Sequence, residues 1–357
     1  MKRFVPIILA LCLLLGGCGI FDGNYTYVVP HPPQSGFQDP GNVSARNYEQ
    51  LCTVLAGMAE KGVESGVIAV PYYDQNQLAG DLDMAVEHTI QTSPVAAWAV
   101  EEIQWELGTS GGQNAVAVSI TYIHDKTEIE QIGKVANLEK AREKITQALD
   151  ECSTGVVLLL QNYEETDFAQ MVEDYADESP QTVMETPEVV ANIYPQEGKE
   201  RLVELKFIYK TSRDTLRSMQ KQVKTVFDSS AIYVSGYSQE QEKFEGLYSF
   251  LMDFLAEGDQ PLKTSITPAY SLLRYGVGNE KAFATVYAAM CREAGLQCQV
   301  ISGTRNGESW HWNLICMDGV YSHLDLLRCS KDGAFQTYRD DQMGEYYWDY
   351  DTVPAST

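Results

Sequence analysis

Asp318-Gly319 stands between two runs of alternating apolar and polar residues, and an Asp-Gly step in that setting specifies a two-residue β-hairpin. The loop fixes a register in which Met317 opposes Val320 and Trp312 falls opposite Asp325. Side chains alternate along a strand. Trp310 and Trp312 therefore share the face of Asp325, and His311 points to the other face. A one-residue bulge near Ser309 is the alternative that would bring His311 round to Asp325. Upstream, Phe283, Val286, Tyr287 and Met290 give one apolar face to a helix running from Asn279 or Glu280 to Glu293, and Val300-Ile301-Ser302-Gly303 reads as a strand.

The order of these elements carries a family resemblance. Ala269-Tyr270-Ser271-Leu272-Leu273 leads through Glu280-Lys281-Ala282-Phe283-Ala284 into the helix that ends Cys291-Arg292-Glu293-Ala294-Gly295-Leu296. Trp310-His311-Trp312-Asn313 and the hairpin down to Asp325 follow, then Arg339-Asp340-Asp341-Gln342-Met343 and Trp348-Asp349-Tyr350-Asp351. Over residues 240–354 this resembles the transglutaminase-like cysteine peptidase core. The resemblance implies a Cys opening the helix, a His starting the next strand and an Asp ending the third. Read without gaps, the chain has Glu280, Trp310 and Asp325 at those places. The resemblance thus implies a family frame in which the Cys and His positions are not kept.

The residues themselves agree. Cysteine acyl transfer needs a thiolate of depressed pKa at a helix N-terminus and a His within reach. Gly278, Asn279, Glu280 and Lys281 supply no thiol or hydroxyl at that end, and Cys291 lies near the opposite end of the dipole. Glu280 suits the first turn as a carboxylate facing the helix dipole. A two-carboxyl glycosidase site would need Asp325 about 5 Å from Glu280. His323 reads as structural, and His31, His88 and His124 as isolated. Trp310, Trp312, Tyr321 and Trp348 are either core or the wall of an aromatic groove for peptide or glycan.

Two further stretches repeat one another. Ser65-Gly66-Val67-Ile68-Ala69-Val70 matches Thr154-Gly155-Val156-Val157-Leu158-Leu159, Ser93-Pro94 matches Ser179-Pro180, and Val116, Val118, Ile120, Tyr122 match Val203, Leu205, Phe207, Tyr209. The separations are nearly constant at roughly ninety residues. The expected fold class is α+β: two related modules of alternating helices and strands with mixed or antiparallel sheets, at 44–150 and 151–235, then the transglutaminase-like unit at 236–357. Helices are expected over Glu128–Asp150, Arg213–Phe227 and Phe244–Leu255. Neither module has a Gly-rich phosphate loop or a cluster of His, Asp and Glu, so no cofactor or metal is implied.

The N-terminus reads as a targeting segment. Lys2 and Arg3 precede a short apolar run from Phe4 to Leu15, and Leu15-Gly16-Gly17-Cys18 resembles a bacterial lipobox. The expectation is a signal peptide at 1–17, lipid on Cys18, a Pro-rich tether over 18–43, and anchoring at the cell surface or envelope through that lipid. A net charge of −24 excludes a nucleic-acid surface, which needs clustered Lys and Arg. Cys52, Cys152, Cys291, Cys298, Cys316 and Cys329 show no zinc-site spacing, and export leaves disulfides and buried thiols both open. The functional expectation is an envelope lipoprotein that binds peptide, cell-wall glycan or a protein partner without catalysis. The alternative is an active hydrolase or acyl transferase with His311 and Asp325 in its site.

Overall fold

A computed structural model describes residues 43–110, 112–253 and 265–356. The signal peptide, Cys18, His31, nearly all of the tether and Leu255 lie outside the described residues. Apolar stripes at helical and strand spacing produce three four-stranded sheets, each covered by helices.

The first sheet holds β1 (Val43–Ser44), β2 (Ser65–Ala69), β3 (Val100–Ser110) and β4 (Gln113–Tyr122) in the order β1-β2-β4-β3. β1 is parallel to β2, and the other pairings are antiparallel. Asn47 caps helix Tyr48–Glu60, whose Leu51, Leu55 and Met58 pack on Ile68, Val116 and Val118. The second sheet holds β5 (Gly133–Val135), β6 (Gly155–Leu160), β7 (Glu188–Tyr194) and β8 (Arg201–Ile208) in the equivalent order β5-β6-β8-β7, again with its first pair parallel. Ala141, Ile145 and Leu149 of helix Leu138–Asp150 pack on Leu158, Val203 and Leu205.

Two segments differ from their expected places. The single helix expected over Glu128–Asp150 is a short helix, Lys126–Glu130, then β5, then Leu138–Asp150. Gly133 opens β5, and Asn137 restarts the helix by accepting from the Lys140 amide at 3.0 Å. The longer helix belongs with the second sheet, because its apolar stripe finds that core and not the first. Helix Arg213–Val234 runs past Phe227, and Leu216, Met219, Val223, Phe227 and Val234 join the C-terminal core. That core therefore begins well before residue 236.

In the C-terminal unit, helices Arg213–Val234, Glu240–Met252, Pro268–Tyr275 and Glu280–Glu293 surround a core containing Phe244, Leu247, Leu251, Phe283 and Tyr287. Burying each such side chain contributes about 1.5–3 kcal/mol. Its sheet, in the order β11-β10-β9-β12, contains β9 (Gln297–Arg305), β10 (Glu308–Met317), β11 (Val320–Leu324) and β12 (Tyr346–Trp348). Asp318 and Gly319 take φ of 50° and 83°, the left-handed pair of a tight hairpin, and Met317 pairs with Val320 as the loop demands. β9 and β10 pair without interruption from Glu308–Arg305 to Cys316–Gln297, so there is no bulge near Ser309.

Gly303 lets β12 close on β9. A Cβ there would collide with the Tyr347 carbonyl and the Trp312 ring. Gly303→Ala is expected to cost about 1–3 kcal/mol, as overpacking does, measured as a lower urea midpoint for the C-terminal unit. An unchanged midpoint would contradict this closure.

Candidate functional site

The two faces of β10 separate the expected site residues. Its odd-numbered side chains meet helix Glu280–Glu293: Ile315 enters the helical core, and Asn313 Nδ2 donates to the Ala284 carbonyl at 2.9 Å. Its even-numbered side chains, Trp310, Trp312 and Leu314, pack on the closing segment with Tyr338, Met343, Tyr346 and Trp348. Glu280, Trp310 and Asp325 consequently do not converge.

Asp325 lies on the Trp310 side, 1% exposed. Its Oδ2 accepts from Trp310 Nε1 at 2.8 Å, the Tyr346 hydroxyl at 2.7 Å and Arg305 Nη1 at 3.3 Å. Its Oδ1 accepts from the Arg328 amide at 3.0 Å and caps helix Leu326–Asp332. Four donors occupy the carboxylate, and Arg305 lies over the Trp310 and Tyr346 rings at 5.3 and 5.2 Å. Burial, then the bond to Asp325, pushes the Tyr346 phenol well above its usual range. Asp325 is thus held as an anchor between sheet and closing segment.

His323 completes this interior and is fully buried. Trp312 Nε1 donates to its Nδ1 at 2.9 Å, so Nδ1 is bare and Nε2 carries the proton, donating to Asp340 Oδ1 at 2.9 Å. Burial holds the imidazole below its ordinary value despite Asp340. Burial also raises Asp340, but bonds from Ser356 and His323 outweigh it and leave this carboxyl below its usual range. Between the depressed folded value of His323 and about 6.5, the unfolded chain binds a proton that the folded chain does not. Stability is therefore expected to fall as pH drops below about 6.5, with Asp340 adding to the loss at lower pH. Urea midpoints at pH 7.5 and 5.5 check this, and His323→Gln should flatten the difference.

Of the two alternatives for the aromatics, core or groove wall, the core holds. Trp312 and Trp348 are buried, and Trp310 and Tyr321 are half-buried against the same cluster. Trp312 meets Tyr346 and Trp348 edge-on, with centroids 5.2 and 5.8 Å apart. Aromatic rings at this spacing satisfied the packing of the closing segment instead of lining solvent.

The open chemistry lies on the other face. Asn279 caps helix Glu280–Glu293 by accepting from the Ala282 amide at 3.0 Å, which puts Glu280 in the first turn. Glu280 Oε1 lies 3.4 Å from His311 Nδ1, both side chains mostly buried. His311 is therefore the partner of Glu280 and not of Asp325. The strand between them also denies a glycosidase its second carboxyl beside Glu280.

His311 lines a cavity of about 440 Å³ together with Lys281, Thr285, Ala288 and Arg292 of the helix, Cys298, Gln299, Val300 and Ser302 of β9, and Asp174, Asp177 and Glu178 of helix Phe168–Glu178. Lys281 Nζ reaches Asp177 at 2.6 Å, and Arg292 donates to the Glu178 carbonyl at 2.8 Å. These two contacts fasten the second unit over the cleft. Sequence reasoning missed that wall, because no local pattern reports a contact between units. It also missed Ser302, the cross-strand partner of His311.

The six cysteines of the described residues are unpaired, and of these Cys298 lines the cavity. Burial, then the neighbouring Cys298, pushes Cys291 well above the usual thiol range, and burial pushes Cys329 up to about 11. Cys298 pairs with Ile315 while His311 pairs with Ser302. Four residues of strand thus put Cys298 about 13 Å along β9 from the position facing His311.

Residues 229–326 match the family model of the transglutaminase-like superfamily. No curated protein matches the chain. Among solved structures, one described as a TGase is 9% identical with a TM-score of 0.27, over 62% of this chain and 63% of that one. A candidate protease from Parabacteroides distasonis is 11% identical with a TM-score of 0.24, over 72% and 39%. A candidate cysteine protease from Cytophaga hutchinsonii is 9% identical with a TM-score of 0.25, over 45% and 70%. The chain thus spans under two thirds of the first two structures. Behind two α+β units, the chain carries a domain of the transglutaminase-like superfamily.

Proposed function

We propose that this domain binds its ligand in the cleft lined by His311, beside the Glu280–His311 pair, without cysteine catalysis. The supporting observation is the Glu280–His311 contact itself: a carboxylate, not a thiol, opens the helix and lies 3.4 Å from the imidazole. The cleft suits a short peptide or a cell-wall fragment, since it offers small apolar residues beside Asp174, Lys281 and Arg292. The N-terminal charge pair, apolar run and Leu15-Gly16-Gly17-Cys18 support export and attachment by lipid on Cys18, with the two α+β units standing between membrane and cleft.

The test incubates the full chain with capped peptides and N-acetylglucosamine oligomers, following amide exchange and product formation together. Slowed exchange around Thr285, Ala288 and Val300 with no product is the expected result. Turnover that disappears in His311→Ala would overturn the reading.

A second reading has one observation in its favour. Ser302 faces His311 across the β9–β10 pair, and His311 faces Glu280, an order found in serine hydrolases. A fluorophosphonate probe that labels Ser302, and fails to label it in Glu280→Gln, would establish that reading.

A further inference from the structure

The geometry points to strand addition: an extended peptide with a basic side chain pairs its backbone with the free edge of β9, inside the cleft. This rests on the binding reading above and names its ligand. β9 is paired along one edge with β10 over its whole length, but along the other with β12 only through Gly303–Arg305. Among the described residues, Gln297 to Ser302 have no strand partner on that second edge. Exposed edges are usually blunted by Lys, Pro, a charge or a bulge. Gln297-Cys298-Gln299-Val300-Ile301-Ser302 contains none of these, and its pairing with β10 is regular.

This stretch lines the cavity. Facing it are Lys281, Thr285, Ala288 and Arg292, one stripe of the helix that spans about 16 Å. That length accommodates about five extended residues. Helix Phe168–Glu178 stands over the groove, tied at Lys281–Asp177 and at Arg292–Glu178.

Charge selects the ligand further. Both cations of the groove are engaged in those ties. Asp174 accepts from Gln170 at 2.9 Å and has no basic partner among the described residues, so it is the carboxylate left to receive a lysine or arginine. Main-chain hydrogen bonds then supply affinity, and alternate side chains supply selectivity, as in other strand-addition sites.

The experiment titrates the full chain with a dye-labelled, capped heptapeptide alternating valine and lysine. A second peptide carries the same side chains with alternate backbone nitrogens methylated, and chitotetraose is the third probe. Expected are saturable binding of the first peptide, slowed amide exchange at Gln297 to Ser302, and at least about tenfold weaker binding of the methylated peptide, the loss of about 1.4 kcal/mol or more. Asp174→Asn should weaken the lysine peptide several-fold and leave a valine–threonine analogue unchanged. Equal binding of the methylated peptide, or no peptide binding at all, would overturn strand addition. If chitotetraose still slows exchange at Thr285 and Ala288 in that event, the binding reading stands without it; if no probe does, both fall.

Discussion

Replacing Asp325 by Ala is expected to destabilise the C-terminal unit by about 3–5 kcal/mol, the usual cost of removing one member of a buried, hydrogen-bonded charge pair. The reason is the number of groups left behind. Trp310 Nε1, Tyr346 OH and the Arg328 amide would lose their acceptor at a buried carboxylate, and the Arg305 guanidinium would keep only Glu345. Loss of the cap alone accounts for about 1 kcal/mol, so most of the effect lies with the other three donors. Asp325→Asn keeps an acceptor for the cap and should cost less. Urea unfolding followed by tryptophan fluorescence measures both. A cost under about 1 kcal/mol for Asp325→Ala would contradict the anchoring role. Ligand binding at the opposite face of β10 should survive in any Asp325 variant that remains folded.

The second large effect is chemical. Glu280→Cys is expected to create a thiol far more reactive than any the chain now has. A cysteine at residue 280 would occupy the first turn of a capped helix, where the dipole and the backbone N–H groups favour a thiolate, with His311 beside it. Alkylation by iodoacetamide at pH 6.5 should be about tenfold faster, or more, than for the native cysteines. His311→Ala in that background should remove much of the gain. If the new thiol reacts like the native ones, then the helix start is not the activating place that the family frame implies.

Much of this was legible from local patterns. The Asp318-Gly319 hairpin gave the register of β10 and β11, hence the separation of His311 from Asp325, because a two-residue loop leaves no freedom in pairing. Helix Glu280–Glu293 followed, to within one residue at its start, from its apolar stripe. The two α+β layouts followed in outline from the repeated segments, but the helix ending at Asp150 was expected in the first unit and packs in the second. What the sequence could not give was which face of β10 the helix would cover. Glu280 and Trp310 are neighbours in an ungapped family reading, yet the helix packs on the odd-numbered face and meets His311. The fate of the aromatics was equally hidden. Trp312 and Trp348 would suit a groove or a core, and only the return of residues 338–348 over the sheet decides for the core. Asp174, Asp177 and Glu178 lie more than a hundred residues from Glu280 and reach the cleft only by docking between units.

The central claim is that a carboxylate–imidazole pair has taken the place of the thiolate–imidazole pair in this frame. The most direct measurement is the labelling rate of each cysteine in the intact wild-type chain by a thiol-directed electrophile, read by mass spectrometry, with Glu280→Cys as the positive control. The account predicts that no native cysteine reacts faster than a free thiol while the residue-280 cysteine does. One native cysteine labelled tenfold faster or more, with its rate lost in His311→Ala, would contradict it.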